Sequence, residues 1–334
     1  MRRSIFSLGL VAVSSLVLAA TGTGCSSTPS GAGGGGTSDA TATTGAGGGA
    51  GGSASTTTSS ATSSTGSTSS SSATTGATAS SSTSGTGGGM GAMADHLLIS
   101  EISVAPVAGE FIEIWNPTAA AVPLDNYYLS DNSTYFELAQ GKAWTPITNN
   151  PGTDFLGRFP AGASIAPDQV IVIGFKAGYS TQYAGKCPNF FMSPTAVDCG
   201  GAMVPAMLST EAGSITASSG LSDPREMVML FKWDGVANTA AKDVDYLTWG
   251  TVFEAGSRAD KTGVAGYQPD TTPANQVGSV APPPLQSVER CSMESGEKLT
   301  GGNGITGHDE TSENLGKSFV VQTTPTPGVK NTCL

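Results

Sequence analysis

From His96 onward the chain alternates short apolar runs with turn residues. Leu97-Leu98-Ile99-Ser100-Glu101-Ile102 reads as a strand. Glu110 to Trp115 alternates with period two, which puts Phe111, Glu113 and Trp115 on one face and Ile112 and Ile114 on the other. Asn116-Pro117 stops it. Val122 to Leu129 follows, with Tyr127 and Tyr128 at strand-like positions. Gln169 to Phe175 is a continuous β-branched run and is expected to be a central buried strand. Glu226–Trp233 and Asp243–Trp249 predict a hairpin around Asp234-Gly235, and the alternation places Asp243 and Asp245 on its solvent face. Ser287–Arg290 and Ser318–Val321 complete the set. No long window carries a helical apolar stripe. The pattern is that of an all-β sandwich or barrel.

The N-terminal part reads differently. Arg2 and Arg3 precede an apolar run from Ile5 to Ala20, and small residues lead to Gly24-Cys25. These are the parts of a secretory signal. A cysteine directly after the cleavage site resembles the lipobox of bacterial lipoproteins, although Gly22 stands where that motif usually has Leu. The resemblance implies a signal peptide over 1–24 and a lipid on Cys25. Ser26 after it is the pattern of sorting to the outer membrane. Residues 25–95 are almost entirely Ser, Thr, Gly and Ala, and hold no Val, Ile, Leu, Phe, Trp or Tyr. Such a stretch has too little apolar surface to offset the entropy of ordering, so it is expected to be a disordered tether. As a Gly/Ser coil its reach is about 40–50 Å. The folded domain is then 96–334.

Of 334 residues only 12% are charged, with Lys plus Arg 15 against Asp plus Glu 26 and a formal charge of -11. An acidic domain repels phosphate, which argues against nucleic acid as a partner. Two histidines leave little room for His-based metal or triad chemistry. No apolar run after the N-terminus is long enough to span a bilayer.

Besides Cys25 the chain has Cys187, Cys199, Cys291 and Cys333. An even number in an exported protein implies disulfides. Of the three possible pairings, Cys187–Cys199 and Cys291–Cys333 are favoured, because the first closes a middle insertion and the second ties the terminal segment to the strand at Arg290. A zinc site lacks the C-x₂-C spacing. The nucleophile elbow G-x-S-x-G is absent. Ser295-x-x-Lys298 lacks the companion motifs of acyl-transfer enzymes, and Gly301-Gly302-Asn303-Gly304 lacks the strand-loop-helix setting of a phosphate loop. Asp309, Glu310 and Glu313 are weak calcium candidates, as are Asp125 and Asp131, because loop carboxylates suit a hard cation. Tyr179, Tyr183 and Tyr267 are loop aromatics that could stack on a sugar or pack locally. No cofactor is implied.

Five blocks come in the order of a lamin-tail domain. They are Leu98–Ile102; Glu110–Pro117 with Val122–Asp131; Phe159–Gly162 with Ile165–Ile173; Ser287–Arg290; and Pro325–Asn331. The resemblance spans nearly all of 97–331 and implies an immunoglobulin-like β-sandwich. The chain is longer than the family norm, which implies surface-loop insertions near 132–158, 176–225 and 252–285. The family offers no catalytic motif to transfer. The expectation is therefore a non-enzymatic cell-surface lipoprotein, membrane-held through its lipid, that presents a β-sandwich to a protein or to an envelope or extracellular polysaccharide. An exported hydrolase with a carboxylate or calcium-dependent site in the insertions is the alternative.

Overall fold

In the computed structural model the chain divides into two units, Met1–Ser82 and Thr83–Leu334. The structure describes residues 94–146, 153–250 and 256–333, all in the second unit. The expected signal peptide, Cys25 and most of the tether lie outside the described residues.

The described residues form an all-β fold. Its strands are β1 (Leu98–Ser103), β2 (Phe111–Trp115), β3 (Val122–Pro123), β4 (Tyr127–Ser130), β5 (Leu156–Arg158), β6 (Ser164–Ile165), β7 (Val170–Gly174), β8 (Phe190–Phe191), β9 (Val197–Cys199), β10 (Ala202–Val204), β11 (Leu208–Ser209), β12 (Glu226–Lys232), β13 (Lys242–Trp249), β14 (Ser287–Arg290) and β15 (Phe319–Gln322). Two single-turn helices, α1 (Tyr179–Gln182) and α2 (Leu315–Ser318), punctuate them. No helix among the described residues is long and apolar enough to cross a membrane.

Two large sheets carry the architecture. The first has six strands in the order β15-β14-β1-β2-β7-β8, and the second five in the order β11-β5-β4-β12-β13. Pairing is antiparallel throughout except between β7 and β8. The period-two alternation sets the faces of the first sheet. Ile99 pairs with Ile114 and Ile114 with Ile171; Ile102 pairs with Ile112 and Ile112 with Ile173. These apolar rows enter one core with Leu129, Leu156, Val228, Leu230, Val244 and Leu247 of the second sheet, so the two sheets form a sandwich. A register shift between Ile99 and Glu101 bulges β1 at Ser100.

The opposite face of the first sheet is also covered. Phe111 and Val172 pack under Tyr179, Tyr183, Phe191 and Val204. The two tyrosines thus serve the packing rather than an exposed surface. The Cys187–Cys199 disulfide closes this layer. Beside it the paired row Glu101–Glu113 is buried beneath the C-terminal segment. Thr326 N–H donates to Glu101 and Gly328 N–H to Glu113, at 3.0 and 2.8 Å. Asn331 Nδ2 donates to the Ser100 carbonyl at the bulge, at 2.9 Å. The Cys291–Cys333 disulfide fastens the end of this strap, so the structure contains both favoured cysteine pairs.

Three expectations change. Asp243 and Asp245 are 1% exposed, not on a solvent face, because each meets a buried cation: Lys261 at 2.8 Å and Arg290 at 2.9 Å. The insertions are more than surface loops. Tyr135, Phe155, Met192, Ile215 and Ala259 enter the main core, and β5 and β11 extend the second sheet. Tyr135 packs on Phe231 of β12 at 4.9 Å between ring centroids. Finally, Val122–Leu129 is not one strand: Asn126, at φ 69°, turns the chain between β3 and β4.

Candidate metal centre

The two histidines of the chain, 212 positions apart in sequence by their numbers 96 and 308, meet at one end of the first sheet. Topology brings them together. β1 runs antiparallel to β14, so the residues just before β1 face those just after β14. His96 precedes β1, and Glu294 and Glu297 follow β14. A bridge between Lys298 and Asp309 then folds the next loop back, delivering His308 and Glu310.

The ring centroids of His96 and His308 are 6.0 Å apart, edge to face. His96 Nε2 lies 2.7 Å from Glu294 Oε1 and 3.8 Å from Glu310 Oε2. His308 Nδ1 lies 3.5 Å from Glu297 Oε2. Donor atoms of His96, Glu294 and His308 all fall within 4.8 Å of one another, and so do those of Glu297, His308 and Glu310. The two triads share His308.

These contacts are close, but few have the directionality of hydrogen bonds. His96 Nε2, His308 Nδ1, Glu294 Oε1, both Glu297 oxygens and Glu310 Oε1 are buried without a hydrogen-bond partner. Buried polar atoms are normally satisfied, and leaving one unsatisfied costs about 1–3 kcal/mol. Six such atoms in two donor triads that share His308 make a concentration of polar groups that a bound cation would satisfy. Neutral imidazole nitrogen and carboxylate oxygen are the donor types of zinc, iron and manganese sites.

Burial and neighbouring charge shift the titration of the cluster's members. Burial, and then the neighbouring Glu294, push the Glu297 carboxyl up to about 8. Burial and Glu297 hold Glu310 well above the carboxylate range. Burial works against a charged His96, but Glu294, Asp95 and Asp245 outweigh it and raise the imidazole to about 9. Without an added cation the cluster is short of positive charge. Its backbone is also constrained. Glu294 sits at φ 38°, rare for a side-chain-bearing residue. A Cβ on Gly304 would come within 2.4 Å of Glu310 Oε1, so the glycine loop is packed against the cluster.

Next to the cluster, Arg290 is fully buried between Asp245 and Glu313, the latter at 2.6 Å, and stacks on Phe319. The calcium candidates Asp309, Glu310 and Glu313 therefore part company. Glu313 is committed to Arg290. Asp309 pairs with Lys298 at 3.1 Å and accepts from Thr271 and Thr311. Glu310 alone joins the histidines. Asp125 accepts from Gly162 N–H, and Ser295 and Lys298 are engaged by Ser318 and Asp309. The sequence held one signal for the centre that spacing rules miss: each histidine has acidic neighbours, Asp95 beside one and Asp309-Glu310 beside the other.

No protein-family model matches the chain. No curated protein matches it either. Among solved structures it is similar to a DUF4876 family protein from Bacteroides thetaiotaomicron, at 14% identity and a TM-score of 0.41, over 71% of this chain and 74% of that one.

Proposed function

We propose that this is a non-enzymatic, lipid-anchored envelope protein that displays a metal-binding β-sandwich, similar to a lamin-tail domain, on a flexible stalk. The His96–His308 centre takes a divalent ion of the zinc class. One observation carries the metal reading: two donor triads of histidine and glutamate share His308, and six of their buried atoms accept or donate no hydrogen bond. An ion there joins the segment entering β1 to the loops leaving β14. The anchor and stalk are supported by the lipobox-like Gly24-Cys25 and the Ser/Thr/Gly tract. The binding role, toward a protein or an envelope polysaccharide, is supported by the absence of any catalytic motif in the sequence and by a centre already crowded with protein ligands. A closed donor set suits a structural metal, whereas catalytic zinc keeps a position open.

The hydrolase alternative has one feature in its favour. The Glu294 and His308 side chains are 13% and 15% exposed, against 3% for His96, so the centre opens slightly on their side. Water could reach an ion there.

The test is metal analysis of the purified full-length protein after expression with zinc, manganese and iron. About one tightly held ion per chain is expected, with a Tm that falls on chelation. His308→Ala should lose both the ion and the chelator response. A protein that holds none of these ions, and whose Tm ignores all three, overturns the metal reading. Metal-dependent hydrolysis abolished by His308→Ala would favour the alternative.

A further inference from the structure

A second cluster lies on the second sheet, and its donors are of a different kind. The order β5-β4-β12 sets three strand ends side by side at one rim. Antiparallel pairing makes the end of β4 neighbour to the starts of β5 and β12, as the registers Ser130–Leu156 and Ser130–Met229 show. Asp131 follows β4, Asp154 stands two residues before β5, and Glu226 opens β12. One carboxylate oxygen of each lies within 4.8 Å of the others. The three residues are 2%, 6% and 8% exposed.

Buried carboxylates this close repel one another, and low-dielectric surroundings amplify the cost. The side chains are placed by their own backbone partners: Phe155 N–H donates to Asp131 Oδ1 at 2.7 Å, and Ser222 N–H donates to Glu226 Oε2. That accounts for one oxygen of Asp131. The other, Oδ2, is buried and accepts no hydrogen bond. A carboxylate oxygen held within a group of carboxylates, with no donor of its own, marks the place of a cation. Glu110 sits on the same side, accepting from Leu221 N–H, and adds negative potential.

We propose that Asp131, Asp154 and Glu226 form a calcium site, separate from the His96–His308 centre. The donor set is all oxygen, with no imidazole or thiol, and this selects hard cations. Calcium tolerates irregular carboxylate geometry and fills remaining positions with water or carbonyls, whereas magnesium demands a near-ideal octahedron and dehydrates reluctantly. Exported domains bind calcium with Kd values on the order of 10⁻⁴–10⁻³ M, within the range of extracellular supply. Bound there, the ion ties the three strand ends of the rim together.

The experiment is calcium binding to the purified full-length protein at pH 7.5, by equilibrium dialysis against labelled calcium, with magnesium in a parallel arm. One saturable calcium per chain is expected. Asp131→Asn keeps the Phe155 contact and removes the free charge, so it should weaken binding at least about tenfold. Glu226→Gln should do the same, and serves if the first variant folds poorly. His308→Ala should bind calcium normally, so loss of the zinc-class centre and loss of this site are read separately. No saturable calcium up to about 10⁻² M, or unchanged affinity in both carboxamide variants, overturns the proposal. So does equal affinity for magnesium.

Discussion

The buried ionisable residues of this domain are handled in distinct ways, and each side chain's neighbours decide which. Lys261 is fully buried and answers Asp243 and Asp270 at 2.8 and 3.0 Å, with Tyr135 Oη at 2.6 Å. Arg290 answers Asp245 and Glu313. Glu101 and Glu113 have no cation against them; they are satisfied by hydroxyl and backbone donors from Ser287, Ser100 and the C-terminal strap. Burial, which outweighs those bonds, raises Glu113 from 4.5 to about 8. In the unfolded chain this carboxyl ionises near 4.5, while in the folded one it keeps its proton until about 8. The folded state therefore binds more protons between those values. Its contribution to stability is complete below 4.5 and is lost as pH rises toward 8. Glu113→Gln mimics the protonated form, so its stability relative to wild type should improve steadily from pH 5 to pH 8. Urea midpoints at the two values check this. A constant difference would show that Glu113 titrates normally in the fold.

At the scale of elements, the strap 325–331 behaves as a cover for the outer face of the first sheet. It adds no strand. It approaches the bulge in β1, supplies two N–H groups to the glutamate row, and sets Lys330 over the Trp115 ring at 4.5 Å and against Asp168 at 2.5 Å. The Lys330–Asp168 pair is exposed and contributes little. The covalent fastening matters more. Cys291 and Cys333 are separated by 42 positions, a loop whose closure is worth about 4 kcal/mol in the chain-entropy account, against about 3 for the 12 between Cys187 and Cys199. Replacing both Cys291 and Cys333 by Ser should lower unfolding free energy by about that larger amount. It should also release the Thr326 and Gly328 amides to fast hydrogen exchange while the β1–β2 ladder stays protected. Protected strap amides in that variant would mean that the glutamate contacts alone hold it.

At the scale of the molecule, the domain is a sandwich whose first sheet is also covered on its far side: helix α1 and the β9–β10 ribbon lie over it, while Tyr135 and Phe136 of an insertion join the main core. Both candidate ion sites stand where strand ends of one sheet meet. If Cys25 carries the lipid, Cys25→Ser should move the full-length protein from the membrane fraction to the soluble one without altering the Tm of the folded domain. Unchanged fractionation would remove the anchor from the proposal.

Several of these properties were set by local chemistry and so were legible along the chain. Period-two alternation at Phe111–Trp115 and the β-branched run at Val170–Ile173 specify strands and their inner rows, because a strand shows each side chain to a fixed face. Pairing of neighbouring cysteines follows from loop closure. The fates of Asp243 and Asp245 did not follow, since alternation identifies a face and says nothing about which buried cation lies across from it. The burial of the insertions is illegible for a related reason: Gly- and Pro-rich composition marks irregular backbone, while burial depends on what that backbone is folded against. The two candidate ion sites are the least legible of all. Their ligands stand far apart in sequence, and only antiparallel neighbours in the two sheets, β1 with β14 and β4 with β5 and β12, bring them within a few ångströms. Strand identity is a local property of the chain; which strand ends share a rim is decided by sheet order, and that exists only in the folded molecule.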